Sequence, residues 1–288
     1  MRPRALLLVA GLCCVGSTAR AQDAPPARAR PAPASLQPHR TGEFKAVLQA
    51  RSPESEAGRW ASRFQFGGDL TSWDYDLSEE RFSVYVPSDY DAEAEPYGVV
   101  VWISPLDDGR IPPPFRQVLD ERRLIWIAPD NAGNSRHLFP RAGLALDAAE
   151  NVGRFYNVDP ERIYVSGLSG GGRMAALLAV DYPDVFAGGY PIIGVTAYLR
   201  IRLETTPGMF VPMYPPPSSE MLRRAKAQPF VIMTGSADFN REECRLTAEA
   251  YEREGFTDLH LLDVEGMGHE MPSAESFARG LDLLVGDP

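Results

Sequence analysis

From residue 81 to residue 285 the chain alternates short apolar runs with stretches whose apolar residues recur at helical spacing, and this rhythm admits few folds. Residues 81–86, 98–103 and 123–128 are short runs rich in Val, Ile, Trp and Tyr and read as strands. Across 142–156, Leu144, Ala148, Val152 and Phe155 mark one face of a helix that Asp159-Pro160 stops. A strand at 162–165, a helix at 169–180, a strand at 187–193, a strand at 230–234, a helix at 241–253, a strand at 259–264 and a helix at 274–285 follow. Such alternation predicts the α/β class, a mostly parallel sheet with helices on both faces.

Two regions break the rhythm. One is 41–80; the other is 195–228, where Pro207, Pro212 and Pro215-Pro216-Pro217 oppose regular structure. Upstream, residues 22–40 are rich in Ala, Pro and Arg without a hydrophobic period and are expected to form a flexible tether, leaving 41–288 as a single domain. The first twenty-one residues have the pattern of an export signal: Arg2 and Arg4, a short apolar stretch from Ala5 to Gly16, then Ala19-Arg20-Ala21. The apolar stretch is too short to span a bilayer, so an exported protein without a stable membrane anchor is expected. Cys13 and Cys14 leave a lipoprotein as the minor alternative, with Leu12 where a small residue is usual.

Past residue 21 the one cysteine is Cys244, so no internal disulfide is expected; its helical spacing with Ala248 and Tyr251 reads as packing. The formal net charge of −10 becomes −13 without Arg2, Arg4 and Arg20, which argues against a nucleic-acid or anionic-membrane partner. Oligomeric state is not legible.

The stretch that carries chemistry is Gly167-Leu168-Ser169-Gly170-Gly171, a G-x-S-x-G between the apolar run Ile163-Tyr164-Val165 and the helix former Met174-Ala175-Ala176-Leu177-Leu178. In a nucleophile elbow the serine takes strained backbone angles on a sharp strand-to-helix turn, and glycines two before and two after leave room for it. The turn also sets Ser169 at a helix N-terminus, whose N–H groups can hold an oxyanion. The plainer alternative is a glycine-rich helix start or phosphate-binding turn.

Serine needs a base. His39 lies in the expected tether, His260 in an alternating strand, and His137 carries no motif. His269, in Gly266-Met267-Gly268-His269-Glu270, follows a strand at the sheet's C-terminal edge, where sites of open α/β folds collect. Asp238, in Gly235-Ser236-Ala237-Asp238, follows the 230–234 strand and is the expected partner that orients the imidazole. Asn240 with Glu243 reads as a capping box for the next helix, and Asp238 could instead belong to that cap.

With the order Ser169, Asp238, His269, the chain resembles the α/β-hydrolase superfamily and, within it, secreted feruloyl and acetylxylan esterases and poly(3-hydroxybutyrate) depolymerases. The similarity covers residues 80–288: Val84-Tyr85-Val86-Pro87, the strand at 98–103, the GLSGGGRMA elbow, and the loops of Asp238 and His269. It implies ester cleavage through an acyl-enzyme, on a small-molecule or polymeric ester, with no cofactor and no metal. Where such esterases have His-Gly after the third strand, this chain has Ser104-Pro105, and proline donates no N–H. The resemblance puts the oxyanion donors at Gly170 and, by position, Leu106, with Ser104 in place of the histidine.

For substrate contacts, the 195–228 segment is expected either to cover the pocket as a lid, with Tyr198, Met209, Phe210, Met213 and Tyr214 as apolar walls, or to be a structural cover. Ser104, Asn131, Asn134, Arg136 and Arg173 are the polar candidates near the mouth; Arg173 could instead pair with an acid. Asp107 and Asp108 read as a solvated loop. An exopeptidase-like serine hydrolase and a non-catalytic binding module of the same fold stay open as alternatives.

Overall fold

The computed structural model describes residues 34–64 and 70–286. The expected export signal and residues 22–33 of the expected tether lie outside the described residues. The last part of that tether stretch is not a linker: β1 (Ala34–Ser35) pairs in parallel with β2 (Gly42–Val47), and Leu36 is buried. A single edge pairing and one buried leucine, followed by Tyr156 donating its hydroxyl proton to Arg40 O at 2.8 Å, suffice to seat a segment that has no hydrophobic period of its own.

The remaining elements follow the alternation. After α1 (Ala57–Arg63) come β3 (Phe82–Val86), β4 (Tyr97–Ile103), α2 (Phe115–Asp120), β5 (Leu124–Pro129), α3 (Leu138–Phe155), β6 (Val158–Leu168), α4 (Gly170–Asp181) and β7 (Gly188–Ile192). Then come α5 (Ser219–Ala225), β8 (Phe230–Gly235), α6 (Arg241–Glu254), β9 (Leu259–Val264) and α7 (Ala274–Val285). Among the described residues nine strands form one sheet in the order β1-β2-β3-β5-β4-β6-β7-β8-β9, with β3 antiparallel to both β2 and β5 and the other pairs parallel.

Central strands are apolar on both faces because both faces are covered. Along β4, Val99, Val101 and Ile103 enter the core shared with α3, α4 and α6, while Val100 and Trp102 enter the opposite core beneath α2 and α7. That second core is aromatic: Phe115 of α2 stacks on Phe277 of α7 with centroids 4.0 Å apart, and Trp102 on Trp126 at 4.8 Å. Cys244 is buried in the first core, as its spacing predicts, and burial pushes its thiol far up, so it is chemically quiet.

Residues 48–64 and 70–80, silent in the sequence, are joined to the body by buried Leu48, Trp60, Leu70 and Leu77, with Trp60 edge-on to Phe139 of α3, and by polar side chains that reach α3. Buried Asp147 accepts from Ser52 N (2.8 Å), Ser55 Oγ (2.6 Å) and Tyr75 Oη (2.5 Å), and Asn151 exchanges bonds with both backbone groups of Ala50. The 195–228 segment contains one helix, α5, against the expectation of none: its prolines end before Ser218, whose hydroxyl caps the helix by accepting from Met221 N. Ahead of α5 the segment packs along α4 and α6. Tyr198 stacks on Tyr251, Ala197 bridges Met213, and Ile201, Leu203, Val211 and Tyr214 are buried in the α4–α6 core. Its buried residues thus pack as a cover on α4 and α6, while Met209 and Met213 stay exposed.

Candidate active site

The elbow is built by close approach. β6 ends at Leu168, Ser169 takes φ 53° and ψ −116°, and α4 begins at Gly170. Ser169 N donates to Ile192 O at 2.8 Å, and Ser169 O accepts from Arg173 N at 2.9 Å, so neighbours on both sides hold the strained residue in place. A Cβ on Gly171 would stand 1.9 Å from Ile103 O and 2.7 Å from Ile103 C, against the backbone of β4. Gly171→Ala is therefore expected to lower stability by about 3 kcal/mol, the upper range for overpacking where backbone must move. A melting temperature equal to that of the wild type would show that β4 yields freely there.

Asp238 and His269 come from the loops after β8 and β9, which are knitted together: Ser236 N donates to Val264 O (2.9 Å) and Ala237 N to Met267 O (3.1 Å). These loops bring together three residues far apart in the chain. His269 Nε2 lies 2.8 Å from Ser169 Oγ, and His269 Nδ1 lies 2.8 Å from Asp238 Oδ1. The Asp238 side chain is fully buried. Its Oδ1 also accepts from Asn240 N at 3.1 Å, and its Oδ2 accepts from Thr234 Oγ1 at 2.9 Å. A carboxylate only accepts, so Nδ1 carries the imidazole proton and Nε2 is free to accept from the serine hydroxyl.

Asn240 does begin α6, but the expected capping box is not made. Its side chain donates to Ile193 O at 2.8 Å, holding that β-branched residue at φ 49°, and Glu243 pairs instead with Arg173 at 2.6 Å. The local sequence is compatible with a cap; tertiary partners with better geometry take both side chains.

The other predicted residues divide. Gly170 N opens α4 directly after the serine. Leu106, the expected second donor, is 70% exposed, and its N–H is engaged by Ser104 Oγ at 3.0 Å, so Ser104 acts on the loop's own backbone. Of the two alternatives for Arg173, the guanidinium pairs with an acid: it donates to Val195 O (2.8 Å) and to Glu243. Tyr198 is buried, with its hydroxyl toward Glu254, and Phe210 lies under the Arg200 guanidinium. Asn131 is exposed at φ 52° and its carbonyl accepts from Arg136. His137 caps α3 and stacks on Trp73, and His260 sits 2.9 Å from Asp258.

Sequence reasoning missed Phe239. It is 75% exposed, and its ring lies on the His269 imidazole with centroids 3.9 Å apart. Its position beside Asp238 was a signal of proximity, but nothing in the sequence says which way its ring turns. An open cavity of about 470 Å³ lies beside the loop after β4, with Trp102, Ser104, Leu106, Met271, Arg110 and Arg116 among its walls; neither the three relay residues nor any of 195–228 lines it.

Residues 139–197, which include the elbow, match the esterase PHB depolymerase family model. Over 45 residues the chain is 49% identical to poly(3-hydroxyalkanoate) depolymerase C of Paucimonas lemoignei, covering 16% of this chain and 11% of the relative. It is 35% identical over 101 residues to poly(3-hydroxybutyrate) depolymerase of Ralstonia pickettii, covering 29% of this chain and 19% of the relative. The matches thus span at most about a fifth of those relatives' length. Among solved structures, the fluorophosphonate-binding serine hydrolase F of Staphylococcus aureus is similar at 17% identity and a TM-score of 0.53, over 72% of this chain and 93% of that one. The shared architecture is the α/β-hydrolase fold.

Proposed function

We propose that this chain, an α/β-hydrolase by fold, is a serine hydrolase that cleaves carboxylic esters by acyl transfer at Ser169. The observation that carries the reading is the unbroken relay of 2.8 Å contacts from Ser169 Oγ through His269 to buried Asp238, at a residue held at φ 53° on a strand-to-helix turn. The names of the relatives, esterases and polyester depolymerases, point to the same bond.

In the acylation step the Ser169 proton passes to His269 Nε2 as Oγ bonds to the ester carbonyl carbon, and the carbonyl π pair moves onto oxygen. Gly170 N–H faces that oxyanion from the helix start. When the carbonyl re-forms, the alkoxide leaves with the proton from Nε2. A water then repeats the sequence and releases the acid and free Ser169.

Leu106, Phe239 and Met271 are exposed apolar side chains on the loops that surround the relay, and the cavity after β4, which also has Asp108, Arg110 and Arg116 in its walls, is the candidate space for an acyl or alkoxy arm. The export pattern of the first residues supports a reaction outside the cytoplasm, and the relatives' names support a small or polymeric ester as substrate.

The reading is tested with p-nitrophenyl acetate and butyrate, together with a fluorophosphonate probe whose adduct is located by peptide mass spectrometry. Hydrolysis of the esters and a single adduct on Ser169 are expected. A folded protein that neither hydrolyses the esters nor takes the probe would instead be a binding module.

A further inference from the structure

An oxyanion hole needs more than one donor, and the loop after β4 does not offer the usual second one. Pro105 has no N–H, and that of Leu106 is 3.0 Å from Ser104 Oγ, to which it donates. Another polar group reaches the elbow from the loop between β5 and α3. A Cβ on Gly170 would stand 2.0 Å from Asn134 Oδ1, 2.6 Å from its Cγ and 2.9 Å from its Nδ2. The Asn134 carboxamide therefore lies against the residue whose N–H follows the nucleophile.

Its orientation is set from behind. Asn134 N donates to Pro105 O at 2.9 Å, which fixes the backbone, and Oδ1 accepts from the Arg141 guanidinium at 3.3 Å. Arg141 is buried, donates through Nε to Ala132 O at 2.7 Å, and has no carboxylate within ion-pair distance among the described residues. Burial pushes it down to about 10, with the Asp107 charge acting the other way, and it is still a cation at neutral pH. Guanidinium cannot accept, so Oδ1 is the atom that faces Arg141. Nδ2 keeps its two N–H groups, for which no described residue supplies an acceptor.

We propose that Asn134 Nδ2 is the second oxyanion donor of this site, held in place and polarised by the buried guanidinium of Arg141. This rests on the ester-hydrolase reading. It replaces the backbone donor lost with the His-Gly pair by a side-chain donor, and it gives a purpose to a buried cation that has no carboxylate partner. Its donor strength grows with the positive field behind Oδ1.

The experiment compares full-length Asn134→Ala and Asn134→Asp with the wild type, measuring kcat and KM on p-nitrophenyl butyrate and affinity for an alkyl trifluoromethyl ketone, which forms a tetrahedral adduct. Asn134→Ala is expected to lower kcat by about 10²-fold, with KM within about twofold and ketone affinity reduced about as much as kcat. Asn134→Asp is expected to fall further, because it sets a carboxylate against the forming oxyanion. A merely structural role predicts the reverse order, since aspartate would keep the Arg141 contact and strengthen it. Variants within about threefold of an active wild type, or an aspartate better than the alanine, overturn the assignment alone. A wild type that hydrolyses no ester and takes no fluorophosphonate overturns the ester-hydrolase reading, and the assignment with it.

Discussion

Ser169→Ala and His269→Ala are each expected to lower kcat by about 10⁶, and the double variant to fall no further, because a nucleophile and its base act as one unit. The serine hydroxyl is a weak nucleophile until Nε2 at 2.8 Å removes its proton, and the imidazole does nothing useful without a hydroxyl to deprotonate. Residual hydrolysis in all three variants would then come from oxyanion donors and binding alone. The check is burst and steady-state kinetics on p-nitrophenyl acetate with circular dichroism as a fold control. Single losses that multiply in the double variant would mean that the two side chains serve separate steps, and retention of a tenth of the activity by either would remove it from the relay.

The second large effect concerns the buried acid. Asp238→Ala is expected to lower kcat by about 10⁴, since the imidazolium loses the charge and the acceptor that hold Nδ1–H in place. Asp238→Asn is expected to do less damage, by about tenfold or more in residual activity, for a reason local to this site. Oδ1 accepts from two N–H groups, His269 Nδ1 and Asn240 N, whereas Oδ2 has, among the described residues, only the Thr234 hydroxyl as donor. An amide nitrogen is repelled at the first position and accommodated at the second, because a hydroxyl can turn and accept. The variant then keeps its oxygen on Nδ1 and preserves the tautomer while losing the negative charge. Proton NMR of the imidazole N–H signals alongside kcat separates the cases. An asparagine variant no better than the alanine, with the proton moved to Nε2, would show that the Thr234 side does not accept the amide.

Much of this architecture is legible from residue types and spacing. The strands at 81–86, 98–103 and 123–128 appear within a residue or so of β3, β4 and β5, and the two C-terminal elements, 259–264 and 274–285, coincide with β9 and α7. Burial on both sheet faces makes those strands continuous apolar runs, and such runs are hard to misread. β2 was not legible: Gly42–Val47 mixes Glu43 and Lys45 with Phe44 and Ala46, and its partner β3 decides its state. Nor was α2, whose six residues carry too little period to stand out and which forms because Phe115, Val118 and Leu119 have a second core to fill.

For the site, the order Ser169, Asp238, His269 named the residues that come within hydrogen-bond distance, because the chemistry of a nucleophile, a base and an acid restricts the residue types and the strand ends restrict their places. The substrate-contact candidates fared differently. Arg173 was drawn to Glu243 and Tyr198 to Tyr251 and Glu254, since a polar or aromatic side chain takes whichever partner the packed fold brings into reach, whereas Ser104 both accepts from the Leu106 N–H and lines the cavity after β4. By itself, then, the sequence determined the layering of helices on a parallel sheet and the three groups that form the relay, both of which follow from local pattern and from the short list of side chains able to do the work. Only the tertiary structure decided that Phe239 lies on the imidazole, that 195–228 packs along α4 and α6, and that the Asn134 carboxamide lies against Gly170 while Ser104 takes the Leu106 N–H. Those outcomes depend on distances of a few ångströms between segments far apart in the chain, which no residue pattern encodes.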